Sequence, residues 1–246
     1  LQTATAGTSN FRAGVNAGIN IVSGGNYNVF VGDSAGTAMA AGDNNVAVGY
    51  GALTSEDGHG NNVAVGYAAL NQLNAGADAH NTAVGKSAGY LVSTGIQNTL
   101  LGSSAGDALS DADYNQAIGA YALSGDTKGN RSVAIGGSSL YTQNFTSPTD
   151  TYNTAVGHGT GYAITTGIQN TIVGGEAGDA LRDADYNVAV GVGALGLDTY
   201  GSKSTALGTN ALTTQNFGSA TDALNTAVGY GAGQLVTTGI KNTTVG

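Results

Sequence analysis

Apolar and polar positions along the chain repeat one short phrase: Asn or Ser, any residue, a small residue, an aliphatic residue, then Gly. A second small residue follows three positions later. Fourteen glycines mark the phrase, from Gly14, Gly32 and Gly49 through to Gly208, Gly229 and Gly246. Most lie 17 residues apart, with single spacings of 18 and 19 and two of 21. Fixed self-similarity of this length is the mark of a repeat architecture, in which each unit folds only against its neighbours. A longer period lies on top. Residues 81–152 align without a gap on 153–224, with about 42 of 72 positions identical, and 225–246 begins a third copy. Residues from about 10 to 80 are a diverged copy. The residue four after each repeat glycine cycles Gly, Gly, Leu, Leu (Gly89, Gly106, Leu123, Leu140, then Gly161, Gly178, Leu195, Leu212).

Segments such as Asn45-Val46-Ala47-Val48-Gly49 are short, β-branched and closed by glycine, which predicts strands and excludes helices. The expected fold is all-β, a parallel β-solenoid of about 14 coils of 17–21 residues, forming one repeat domain over 1–246. Each coil is expected to hold two short strands and two turns. The aliphatic residue before the glycine (Val48, Val65, Val84, Val156, Val190) is expected to line the interior, with Ala47, Ala64, Ala83, Ala155 and Ala189 on the opposite face. Apart from Arg12, neither face carries a charge. A strand uncharged on both sides is usually covered on both sides, and one coil covers only one. The expectation is a homotrimer around a shared axis. The Asn column (Asn45, Asn62, Asn81, Asn98, Asn115) reads either as an amide ladder or as turn capping.

Composition narrows the partners. The chain has 42 glycines, no cysteine and no tryptophan, and its apolar content is mostly Ala and Val, which suits a thin layered interior rather than an ordinary core. A net charge of −9 with seven scattered basic residues argues against nucleic acid. No stretch approaches the length of a membrane-spanning helix. The sequence starts at Leu1 and stops at Gly246 within a repeat, so a fragment of a longer fibre is expected.

The segments 45–53 (NVAVGYGAL), 62–70 (NVAVGYAAL) and 132–140 (SVAIGGSSL) resemble the head repeats of trimeric, YadA-like autotransporter adhesins. They are more similar still to the 17-residue N-T-A-x-G-Y-x-A-L repeats of phage tail fibres and related bacterial surface proteins. The resemblance implies a trimeric left-handed parallel β-roll. It also implies an extracellular place on a virion fibre or a bacterial cell surface, and a cell-surface receptor or glycan as partner. Autotransporter heads have shorter repeats, and no coiled-coil stalk or anchor is visible in 1–246, so the fibre reading leads.

Candidate chemistry is sparse. Gly32–Gly36 (GDSAG), Gly85–Gly89 (GKSAG) and Gly102–Gly106 (GSSAG) match a nucleophile elbow, but the match follows from the repeat frame and no histidine recurs with it. No catalytic residue is assigned. Asp107, Asp111 and Asp113 recur as Asp179, Asp183 and Asp185. Closely spaced carboxylates in a turn are calcium candidates, the competing reading being a solvated acidic turn. The two 21-residue coils carry extra residues at 141–152 and 213–224, where Tyr141, Phe145 and Phe217 are candidates for contacting a receptor or glycan. The expected function is a non-enzymatic structural or adhesive fibre segment. The alternatives are an autotransporter head, an ice- or polysaccharide-binding solenoid and, weakest, a depolymerising enzyme.

Overall fold

The computed structural model describes residues 6–246, and among them there is no helix. The chain is a parallel β-solenoid whose coils fall into two compact units, Leu1–Ala120 and Tyr121–Gly246. In the first unit the strands are β1 (Phe11–Ala13), β2 (Val29–Val31), β3 (Val46–Val48), β4 (Val63–Val65), β5 (Thr82–Val84), β6 (Thr99–Leu101) and β7 (Gln116–Ile118). Each pairs in parallel with the next in an unbroken register, for example Ala47 with Ala64 and Ala64 with Ala83. The second unit repeats this with β9 (Val133–Ile135), β11 (Thr154–Val156), β12 (Thr171–Val173), β13 (Val188–Val190), β15 (Thr205–Leu207), β17 (Thr226–Val228) and β18 (Thr243–Val245). Four two-residue strands complete it: β8 (Gly129–Asn130) pairs with β10 (Thr149–Asp150), and β14 (Gly201–Ser202) with β16 (Thr221–Asp222). A coil therefore holds one regular strand. The expected second strand appears only beside the two long coils.

The expected sense of the strand is reversed. The middle residue faces inward: Ala47, Ala64, Ala83, Ala155 and Ala189 are fully buried. The aliphatic residue before the glycine faces outward, with Val84 39% and Val190 38% exposed. Volume explains the reversal. Opposite the strand stand the residue four after the repeat glycine and the residue seven after it. Where the former is Leu53, Leu70, Leu123 or Leu195, the strand offers only a methyl group. Where the strand offers Phe30, Leu100 or Ile172, the facing residue is glycine. A Cβ on Gly36 would lie 2.6 Å from the Phe30 ring, and one on Gly106 would lie 2.8 Å from Leu100 Cδ2. The Gly-Gly-Leu-Leu cycle is therefore the complement of a large residue that enters the strand once every four coils. Arg12 occupies the inward column of β1, where its Nε donates to the Ala17 carbonyl at 2.5 Å.

Two constraints fix the turns. The repeat glycines have φ of +115° to +139°, and a Cβ on Gly191 would sit 2.5 Å from the Gly208 carbonyl carbon, so only glycine fits. Leu53, Leu70 and Leu123 hold φ of +51°, +46° and +54°, a left-handed conformation that non-glycine residues adopt at a cost and that burial of the side chain offsets.

The Asn column is an internal ladder. The backbone N–H of Asn45 donates to Oδ1 of Asn28 at 2.8 Å, Asn98 to Asn81 at 2.8 Å and Asn115 to Asn98 at 2.9 Å. In the second unit Asn170 donates to Asn153 at 2.9 Å and Asn187 to Asn170 at 3.0 Å. Most of the amide nitrogens also reach across the coil to a carbonyl on the far wall, as Asn98 does to Ala112 and Asn170 to Ala184, both at 2.8 Å, whereas Asn62 donates to Gly60 beside it. Replacing Asn170→Ala orphans the Asn187 N–H and the Ala184 carbonyl in a dry interior. At about 1–3 kcal/mol each, the expected loss is about 2–6 kcal/mol, measurable as a lower urea midpoint with an unchanged slope.

Candidate functional site

Three surfaces hold what the fold offers for function. The first is the outer face of the strands. In each unit it is built from first and third strand positions alone, and no charged residue lies on it. The third position is aliphatic in every coil (Val48, Leu101, Ile118, Val156, Leu207), and the first is Val, Thr, Gln or Phe. These side chains are half-buried by their neighbours above and below, or exposed.

The second is a groove of about 450 Å³ in the first unit. It is lined by Gly51, Ala68, Ser87 and Ser104 together with Tyr50, Tyr67, Lys86, Asn71, Tyr90 and Asp107. Tyr50 and Tyr67 stack at 5.6 Å and 13°. The serines of GKSAG and GSSAG line this groove without a histidine.

The third is the pair of long coils. Tyr141 is half-buried in a tyrosine ladder, stacked on Tyr162 at 5.1 Å and 10° and meeting Tyr121 edge-on. Phe145 and Phe217 are not presented to a ligand: they are 7% and 6% exposed, turned into the coil. The longest exposed runs within 141–152 and 213–224 are Thr146–Pro148 and Gly218–Ala220. Ion pairs close the base of each long coil, Arg131 with Asp150 at 3.1 Å and Lys203 with Asp222 at 2.6 Å. Being exposed, such pairs add little stability.

The phenylalanines turn inward because of a feature that sequence reasoning missed. Asp126 and Asp198 are fully buried beneath them. Asp126 Oδ1 accepts from the backbone N–H of Gly129 at 3.0 Å and of Phe145 at 3.2 Å, and its Oδ2 accepts from Gln143 Nε2 at 2.6 Å. Gln143 continues to Ser132 Oγ at 2.9 Å, and its Oε1 accepts from Asn153 at 2.8 Å. The same network recurs as Asp198, Gln215, Ser204 and Asn225. Serine replaces the ladder Asn at Ser132 and Ser204, which leaves room for the glutamine to enter from the opposite wall. The signal was in the frame: Asp126 and Asp198 lie seven after their repeat glycines, where Met39, Leu109 and Leu181 are buried.

The two aspartate triplets are spread over several links rather than gathered. Asp113 Oδ1 accepts from the Ile96 N–H and Asp185 Oδ1 from the Ile168 N–H, both at 2.8 Å. Asp111 accepts from Thr94 at 3.0 Å. Asp107 and Asp179 stand at the grooves beside their coils. Among the described residues, the one group of three ligand types whose atoms lie within 4.8 Å is Glu56, Asp57 and His59. No described helix is long and apolar enough to cross a membrane.

Comparison with known proteins finds no match to a protein-family model, a curated protein or a solved structure.

The acidic turns carry opposite pH signatures. The hydroxyls of Thr165 and Thr166, 2.7 and 2.8 Å from Asp183 Oδ1, hold its carboxyl below the usual 3.8. Burial, with Glu176 nearby, pushes Asp179 above it. For Asp183 the stabilisation is present above the unfolded value and lost as pH falls through the lowered folded value. The double substitution Thr165→Val and Thr166→Val should return the Asp183 titration towards 3.8. It should also shrink the loss of stability seen on acidification from about pH 5 to 2, read by carboxyl NMR and urea melts at each pH.

Proposed function

We propose that this chain is a non-enzymatic structural or adhesive fibre segment, a homotrimer of left-handed β-rolls on a virion or bacterial surface. One observation carries the reading: in each unit, the outer face of the strands is uncharged and aliphatic at every third position. A parallel sheet normally has both faces covered. A soluble solenoid needs no column of Val, Leu and Ile on its wet side, since Thr or a charged residue serves there as well. Two sister chains supply the missing cover. The likeness of NVAVGYGAL and NVAVGYAAL to tail-fibre and adhesin repeats supports the same arrangement. In that role the protein holds a receptor- or glycan-binding surface away from its support, with length set by coil number.

Val190→Lys tests this directly. It places a charge on the outer face without touching the interior, since its neighbour Ala189 is the buried residue. The native chain should sediment at three times 24.0 kDa, and the variant should fall to one chain with an unchanged far-UV spectrum. A native mass of one chain, or a Val190→Lys protein that stays trimeric, would sink the proposal.

The outward column of Thr154, Thr171, Thr205, Thr226 and Thr243 favours a second reading, an ice-binding face. That reading expects a single chain with thermal hysteresis on freezing, lost in Thr171→Lys. A trimer without hysteresis dismisses it.

A further inference from the structure

The buried acid of the long-coil networks has a third, altered copy. Glu56 lies seven after Gly49, as Asp126 does after Gly119 and Asp198 after Gly191, and it too is fully buried. Like them it caps the residue three ahead, accepting from the His59 N–H at 3.1 Å. Three things differ around it. Gln143 and Gln215, which donate to the acid in the other copies, are replaced by Leu73. Thr127 and Thr199 are replaced by Asp57, and Gly129 and Gly201 by His59.

Each change points the same way. With Leu73 in place of the amide, the outer oxygen of Glu56 has only the Ala75 N–H at 3.4 Å, so a buried carboxylate has lost its strongest donor. A buried charge without a partner is costly. In the same copy a second carboxylate and an imidazole have been added on either side of it. The imidazole Nδ1 lies 3.5 Å from Glu56 Oε1, is shielded from solvent and makes no hydrogen bond. Asp57 is exposed, so one side of the cluster is open to water.

We propose that Glu56, Asp57 and His59 form a binding site for a divalent cation of the zinc type. One imidazole nitrogen and two carboxylate oxygens within 4.8 Å of one another are a ligand set that such an ion accepts, with water taking the remaining position. The cation replaces the amide donor that the other copies supply to the buried acid. The turn at 56–59 that it fastens is tied to the ladder of the same coil through the carbonyl of His59, which accepts from Asn45 Nδ2 at 3.0 Å. Glycine or threonine at these positions in the sister copies gives no such set, so the site is unique to the first super-repeat.

The test is equilibrium dialysis of the tag-free, chelator-treated chain against zinc chloride, with metal analysis of the protein. One zinc per chain is expected. In the double variant Asp57→Thr and His59→Gly, which restores the residues of the sister copies and so keeps the coil foldable, affinity should fall at least tenfold. His80→Ala and His158→Ala should leave it unchanged. No stoichiometric zinc, equal uptake by the double variant, or loss of uptake in His80→Ala or His158→Ala would overturn the proposal. Native melting temperature rising with zinc, and not rising in the double variant, is the second readout.

Discussion

The buried carboxamide column is the constraint on which each unit depends. A three-residue strand contributes few of the backbone hydrogen bonds between layers, most of the rest coming from turns that fix no register of their own, and a coil of 17 residues encloses little apolar surface. An asparagine in every coil except those of Ser132 and Ser204 answers both deficits. Its oxygen receives the N–H of the asparagine in the following coil, and its nitrogen reaches a carbonyl on the far wall of its own coil, as in Asn98 and Asn170. The first bond fixes the register between layers and the second fixes the width of the coil. A slip by one residue would turn the strand over and break both at once. Width then dictates what fits beside the ladder, which is why the strand contributes alanine and why glycine faces Phe30, Leu100 and Ile172.

That dependence also explains what was and was not legible in the sequence. The number of coils, their parallel stacking and the four-coil cycle follow from spacing alone, because a solenoid writes its geometry into its period. The sense of the strand did not follow. Hydrophobicity ranks Val48 above Ala47, and an ordinary core would take the larger side chain. Here the volume opposite the strand decides, and that volume belongs to Leu53, four residues past a turn. The cue was present in covariation within the chain: large strand residues occur only where the facing position is glycine. Of the two readings open for the asparagines, the ladder holds, with a cross-coil bond that spacing does not reveal.

The sites followed a similar logic. Phe145 and Phe217 looked like aromatic contacts because they stand in insertions, which normally protrude. They turn inward because a buried aspartate beneath each captures the phenylalanine N–H. Those aspartates were passed over because a carboxylate in a glycine-rich turn reads as solvated, as Asp183 is. Only the frame distinguishes them: Asp126 and Asp198 fall in an apolar column, and Asp107, Asp111 and Asp113 do not. In a repeat protein, position within the coil carries more information than residue type.

The outer face of the strands is constrained as well. Its two columns are not equivalent, although strand propensity acts on both alike. The first position admits Thr82, Thr99, Gln116 and Thr171 as well as valine, whereas the third, beside the repeat glycine, admits only aliphatic residues in every coil. Nothing inside the coil imposes this, since the interior is closed by the alanines and the ladder. Solvent would impose the opposite. The restriction is stricter on one side of the strand than on the other, and the assembly proposed above accounts for it. In the threefold assembly proposed above, the line nearest the axis would be the driest and the most crowded, and the column of Val156, Val190 and Leu207 would lie there. The threonines would then lie farther out, where a hydroxyl reaches water or a neighbouring chain.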